Sequence, residues 1–203
     1  MSGEVLQDAA WVTIPTRLPV ATVVDFCGDV ERLLRINSMY EFEDWREAGP
    51  DAYAMKIRNL SNGQTLEAPF SVVRHADGVE LVYGAGLKTR TRFKVEPGPQ
   101  GANLIVTDDY AGTPAAEREA RAAEIDKSLV YWGNDLHRYL EQWRRWSAFK
   151  AWRWYMARVW QPMKPRARRI AFMVIVITAL EFVAFVAVFL IFAMEWQQHL
   201  RFW

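Results

Sequence analysis

The sequence predicts an α+β fold: a curved antiparallel sheet wrapped around one long helix, followed by a stalk and a single membrane-length helix. Three observations predict it. Five or six strand-like runs follow one another between residues 39 and 112, separated by turn residues. A stripe of apolar residues at three- and four-residue steps then runs from Ile125 to Trp143. Last, the 25 residues Ile170 to Met194 are apolar apart from one carboxylate.

Each element has its own local reason. AAWVTIPT, residues 9 to 16, alternates and is rich in β-branched residues, so it reads as a first strand. PVATVVDFCGDVERLLRIN has helical spacing that turns Val23, Phe26, Val30, Leu33 and Leu34 to one side, with a break near Gly28 that makes two short helices. MYEFEDWREA stops at GPD, YAMKIRNL at SNG, TLEAPFSVVRH at ADG, VELVYG at AG, and LKTRTRFKVE at PGPQG before ANLIVTDDYAG. Those turns join antiparallel neighbours. In LKTRTRFKV the phase predicts Leu87, Thr89, Thr91, Phe93 and Val95 on a packed face and Lys88, Arg90, Arg92 and Lys94 on a wet one. After TPAAEREARAAE, the residues Ile125, Leu129, Trp132, Leu136, Tyr139, Leu140 and Trp143 form the amphipathic face of a long helix, which must cover the inner face of the sheet.

This order of elements resembles the helix-grip fold of the START-like (SRPBCC) superfamily. VTIPTRLPVATVVDFCGDVERLLRIN is particularly similar to the first strand and following helices of its polyketide cyclase/dehydrase-type members. The resemblance spans roughly residues 9 to 147. It implies a hydrophobic cavity between sheet and long helix and an apolar ligand: a lipid, sterol, polyketide or other apolar molecule. Some bacterial members carry a C-terminal membrane anchor, as this chain is expected to.

The apolar phase of each strand supplies candidate ligand-binding residues: Tyr53, Met55, Phe70, Tyr83 and Phe93, with Trp132 and Leu136 closing the cleft from the helix. Either these side chains line a cavity or they fill a dry core. Arg74 would point inward if it kept the phase of Phe70 and Val72, or into solvent if the strand ends near His75. Asp44, Asp108, Asp109, Glu43 and Glu67 are acid or base candidates by type, yet most sit beside turns or in wet strand phases. No nucleophile elbow, glycine-rich phosphate loop or metal-ligand spacing occurs, so no catalytic residue, metal or cofactor is expected and an enzyme is not indicated. A single cysteine, Cys27, excludes an intramolecular disulfide and reads as an inert helical residue.

Charge divides the chain. Residues 1 to 114 carry 11 Lys or Arg against 16 Asp or Glu, a net of −5, and the remainder carries 14 against 8, a net of +6. QWRRWSAFKAWRWYMARVWQPMKPRARR places Trp143, Trp146, Trp152, Trp154 and Trp160 among basic residues, ending in Arg166, Arg168 and Arg169. That composition suits the lipid head-group level, where indole rings are partly buried and cations meet anionic phosphates. The long helix is expected to descend there and to bend at Pro162 and Pro165. The organisation expected is a head at 1–147, an interfacial linker at 148–169, a transmembrane helix at 170–194 and a short tail at 195–203 on the opposite side.

Basic residues before the span, and an opening MSGEVLQDAAW without an export signal, keep the head in the cytoplasm as part of a single-pass inner-membrane protein. Glu181 lies mid-span, where a carboxylate costs about 2.5 to 3.5 kcal/mol on insertion scales. It would face a partner helix, in a homo-oligomer or a larger membrane complex, or be protonated and bonded to a carbonyl near Ile177 or Thr178. Expected partners are therefore membrane lipids, a membrane protein or a second copy, and an apolar small molecule; nucleic acid is not expected. Two functions remain: a lipid- or quinone-class binding module at the membrane surface, or an accessory subunit whose fold is a filled scaffold. A cyclase/dehydrase-type enzyme acting on a hydrophobic substrate is the alternative.

Overall fold

A computed structural model describes the backbone of residues 9–200 and the side chains there except at 115, 117–127, 195 and 197–200. The expectations for the opening residues 1–8, for Ile125 and for most of the tail at 195–203 lie outside the described residues or side chains. Contacts divide the chain into two compact units, one ending at Pro162 and one beginning at Met163.

In the first unit, strand β1 (Ala9–Thr16) is followed by helices α1 (Val20–Cys27) and α2 (Val30–Ile36). Gly28 caps α1, and the Asp29 side chain accepts a hydrogen bond from the Arg32 N–H at 3.0 Å to start α2, so the break falls where the sequence puts it. Strands β2 (Tyr40–Gly49), β3 (Ala52–Asn59), β4 (Thr65–His75), β5 (Gly78–Tyr83), β6 (Arg90–Gly98) and β7 (Gly101–Asp109) form a meander, and β1 pairs with β7 at the far edge. The result is one seven-stranded antiparallel sheet in the order β1-β7-β6-β5-β4-β3-β2. Register shifts in β2, between Phe42 and Asp44 and between Glu47 and Gly49, add bends at one edge.

Alternation decides which side chains enter the core. Ile14, Met55, Ile57, Phe70, Val72, Leu81, Phe93, Val95, Leu104 and Val106 are all buried on the inner face. Helix α3 (Ala115–Trp146) lies along that face with Leu129, Trp132, Leu136, Tyr139 and Leu140 turned inward. The Trp132 ring meets Phe93 edge-on at 5.3 Å between centroids, and its Nε1–H donates to the Leu33 carbonyl at 3.1 Å, tying α3 to α2. At Gly133 an added Cβ would stand 3.0 Å from the Val12 side chain, a tight contact that glycine avoids where α3 crosses β1.

The tryptophan-rich stretch does not descend as one continuous helix. Helix α3 stops at Trp146, and after a turn α4 (Lys150–Tyr155) and a single π-helical turn (Met156–Trp160) fold back onto the unit's own core. Arg153 Nη1 donates to the Ser147 carbonyl at 2.6 Å and holds this turn. The cause is aromatic burial: Tyr139 packs on Phe26, Trp143 and Trp160, and Trp143 packs edge-on against Trp152. Arg32 lies over both Phe26 and Trp143.

The second unit contains α5 (Pro165–Leu200). Proline suits its first position, where the missing N–H would have no helical acceptor. Pro165–Met194 is 30 residues long, its most apolar 18-residue stretch has a mean hydropathy of 2.9, and it is long and apolar enough to cross a membrane, with Glu181 exposed at its middle.

Candidate functional site

A cavity of about 200 Å³ opens at one end of the sheet, where the β3–β4 turn, the β5–β6 loop and α3 meet. Met55 and Ile57 of β3 form its apolar floor, with Leu66, Leu87 and the rings of Tyr40 and Tyr83 around it. Exposed Asn62, Gln64, Ala85 and Gly86 stand at the mouth, and Ser128 faces it from α3.

One wall is polar. Lys88 lines the cavity and pairs with Asp108, Nζ to Oδ2 at 2.5 Å. Asp108 is 1 % exposed and Lys88 is 18 % exposed, so the pair is largely removed from water. Asp108 also accepts from Thr91 Oγ1 at 2.5 Å and Tyr110 OH at 3.3 Å, and Thr91 Oγ1 in turn accepts from Tyr83 OH at 3.3 Å. The Lys88 ammonium lies 5.3 Å from the Trp132 ring centre. Burial by itself would lower the Lys88 pKa. The Asp108 carboxylate overrides it and, with Tyr40, Tyr110 and Tyr83 nearby, holds the ammonium well above its ordinary value. Burial raises the Tyr83 and Tyr110 hydroxyls, against the pull of Lys88.

Two local features build this wall, and both depart from the phase read off the sequence. Strand β6 begins at Arg90 rather than Leu87, because the 84–89 segment is a loop. Gly86 takes φ +107° there, against Leu66, and Tyr83 N–H donates to the Thr89 carbonyl at 2.9 Å. The loop resets the alternation, so Lys88 turns inward instead of lying on the wet face with Arg92 and Lys94. Asp108 is the second departure. The cross-strand register places it directly opposite Thr91, and it follows Leu104 and Val106 in the inward phase, so it is buried rather than wet.

The predicted binding residues separate into two groups. Met55 and Tyr83 line the cavity. Phe70, Phe93, Trp132 and Leu136 are buried in close packing, and half-buried Tyr53 stacks on Phe70 at 5.5 Å and against Trp45 at 5.4 Å. Of the other candidates, Asp44 and Glu67 pair with Arg46, Glu43 pairs with Lys56, and Asp109 pairs with Arg90. Arg74 lies at the surface, held by Asp51 at 2.9 Å and by the Gly28 carbonyl. Cys27 is buried, and that burial pushes its thiol up to about 12, which suppresses thiolate chemistry. Among the tryptophans, Trp143, Trp152 and Trp160 are half-buried against the core, whereas Trp146 and Trp154 are exposed, Trp154 at 63 %. Arg166 and Arg169 are exposed in the first turns of α5, and Arg168 is half-buried there. Among the described residues, no three His, Cys, Asp or Glu side chains gather as a metal site.

No family model matches the chain, and no curated protein sequence matches it. Solved structures do. A protein from Arthrobacter aurescens, solved by NMR, superposes with a TM-score of 0.50 at 15% identity, over 70% of this chain and 90% of its own. A protein from Thermus thermophilus gives 0.46 at 14% identity, over 66% of this chain and 97% of that one. The di-domain ARO/CYC StfQ from the steffimycin biosynthetic pathway gives 0.49 at 13% identity, over 66% of this chain and 50% of its own. At 15% identity the Arthrobacter likeness shows the fold alone, a helix-grip arrangement of one curved antiparallel sheet and a long C-terminal helix.

Proposed function

We propose that the head is a binding module for a small apolar molecule of the lipid or quinone class, tethered to the cytoplasmic face of the inner membrane by α5. The observation that carries this reading is the cavity itself: an apolar floor beneath a wall of buried, mutually hydrogen-bonded polar groups. A close-packed scaffold would have filled this space, since interiors tolerate few voids larger than water. At about 200 Å³ the cavity is smaller than the roughly 300 to 1,000 Å³ of drug-sized sites, so it takes a compact ring or one end of a longer molecule.

The tether rests on the apolar length of α5 and on Lys164, Arg166, Arg168 and Arg169 at its start. Exposed Trp146 and Trp154, beside Arg145, Lys150 and Arg153, are the residues that would meet head groups. Glu181 supports a second role as an accessory subunit, because an exposed carboxylate at mid-span is relieved by a partner helix from another membrane protein or a second copy. Cyclase/dehydrase-type chemistry on a hydrophobic substrate is the weaker reading: the Asp108 carboxylate is already engaged by Lys88, Thr91 and Tyr110, and the Lys88 amine is held as an ammonium.

Native mass spectrometry of the full-length protein released from its own membrane, with organic extraction of the bound material, tests the reading. A stoichiometric apolar molecule is the expected result. An empty protein would refute ligand binding and leave the accessory role.

A further inference from the structure

The polar wall says more about the occupant, given the binding role proposed above. An ammonium carries three N–H donors. Among the described residues, Asp108 is the one hydrogen-bond acceptor of Lys88, which leaves donors to offer a molecule in the cavity that Lys88 lines. Asp108, by contrast, lies behind the wall and already takes hydrogen bonds from Lys88, Thr91 and Tyr110. The pair is neutral as a unit.

That neutrality selects among ligands. A carboxylate brought against Lys88 would share it with Asp108, leaving two anions and one cation at a pair largely removed from water, and like charges there are costly. A carbonyl oxygen accepts from the same ammonium without adding charge. The floor and sides offer Met55, Ile57 and the faces of Tyr40 and Tyr83, which suit a flat unsaturated ring.

We propose that the cavity selects an apolar ring bearing a neutral carbonyl oxygen, which accepts a hydrogen bond from Lys88, and that it rejects carboxylates of the same shape. Fatty acids and aromatic acids are thereby excluded as occupants, whereas quinones, aryl ketones and cyclic enones fit.

Three probes of nearly equal size separate the possibilities: ethylbenzene, acetophenone and benzoate, each titrated into full-length protein in phosphatidylcholine nanodiscs at pH 7.5, with empty nanodiscs as the blank. Acetophenone is expected to bind about tenfold more tightly than either of the others, in line with a hydrogen bond to a charged donor. Ethylbenzene equal to acetophenone, or benzoate equal or tighter, would overturn the carbonyl inference while leaving a cavity that binds apolar molecules. Failure of all three to bind would overturn the binding role and this inference together. The wild-type comparison needs no variant. In Lys88→Met/Asp108→Asn, which removes both charges at once, acetophenone should fall to within about threefold of ethylbenzene, and an undiminished preference would also overturn the proposal.

Discussion

The two ends of the inner face make opposite use of the same sheet and the same helix. Midway along α3, Trp132 meets Phe93 edge-on and donates to the Leu33 carbonyl, and Leu136 is buried in the same core. Toward the β5–β6 loop, Met55 and Ile57 floor a cavity instead, and the wall is built from Lys88, Asp108, Thr91, Tyr83 and Tyr110. The difference lies in what each end asks of its side chains. Large aromatics satisfied by neighbours close a core, whereas a buried charge pair with its hydroxyl partners keeps the other end polar. Residues of one strand phase therefore do not share one role: Phe93 and Thr91 are two apart on β6, one in the dry end and the other in the polar wall.

Substitutions at each end measure that contrast. The largest effect is expected for Trp132→Ala, about 3 to 5 kcal/mol of stability, since the change leaves a cavity and strands the Leu33 carbonyl; urea denaturation reads it. A cost below about 1 kcal/mol would mean that the dry end is not close-packed. Lys88→Met follows at about 3 kcal/mol, at the low end for a broken buried pair, because Asp108 is left buried beside an apolar side chain. Lys88→Met/Asp108→Asn should recover most of that loss. If it does not, the cost came from packing rather than charge. Tyr83→Phe removes one hydrogen bond to Thr91 and should cost about 1 kcal/mol.

The smallest expected effect is that of pH. Lys88, Cys27, Tyr83 and Tyr110 all have folded pKa values raised above their unfolded ones. Their contribution is therefore complete below the unfolded values and lost as pH climbs through the folded ones. The urea midpoint should be insensitive to these groups from pH 7 to about 8.5. It should then fall as Cys27 passes from 9.0 toward about 12, with the lysine and tyrosines following. A fall in the midpoint from pH 7 to 8.5 traced to Cys27, with alkylation of the folded thiol as fast as in urea, would contradict its burial.

Much of the fold was legible because period-2 and period-3.6 patterns survive wherever a face is uniformly apolar. The first strand, the break at Gly28 and the buried face of α3 from Leu129 to Leu140 follow directly from such runs. The site was less legible because it interrupts those patterns. Asp108 could have been found by carrying the phase of Leu104 and Val106 two residues further. Lys88 could not: only a loop that stops β6 at Arg90 turns it inward, and LKTRTRFKV gives no sign of that break beyond the glycines before it. The stalk reads two ways for a related reason. Tryptophan beside arginine is the composition of a lipid interface and equally of a stacked aromatic and cationic cluster, and Trp143 and Trp152 take the second course.

The central claim is that the open end of the sheet is a ligand site, and Ser128 offers the most direct test because it faces the cavity from α3 with a small side chain. Native mass spectrometry of full-length wild type and Ser128→Phe, released from membranes side by side, should show a bound apolar molecule on the first and little or none on the second. The same occupancy on both proteins, or none on the wild type, would contradict the claim.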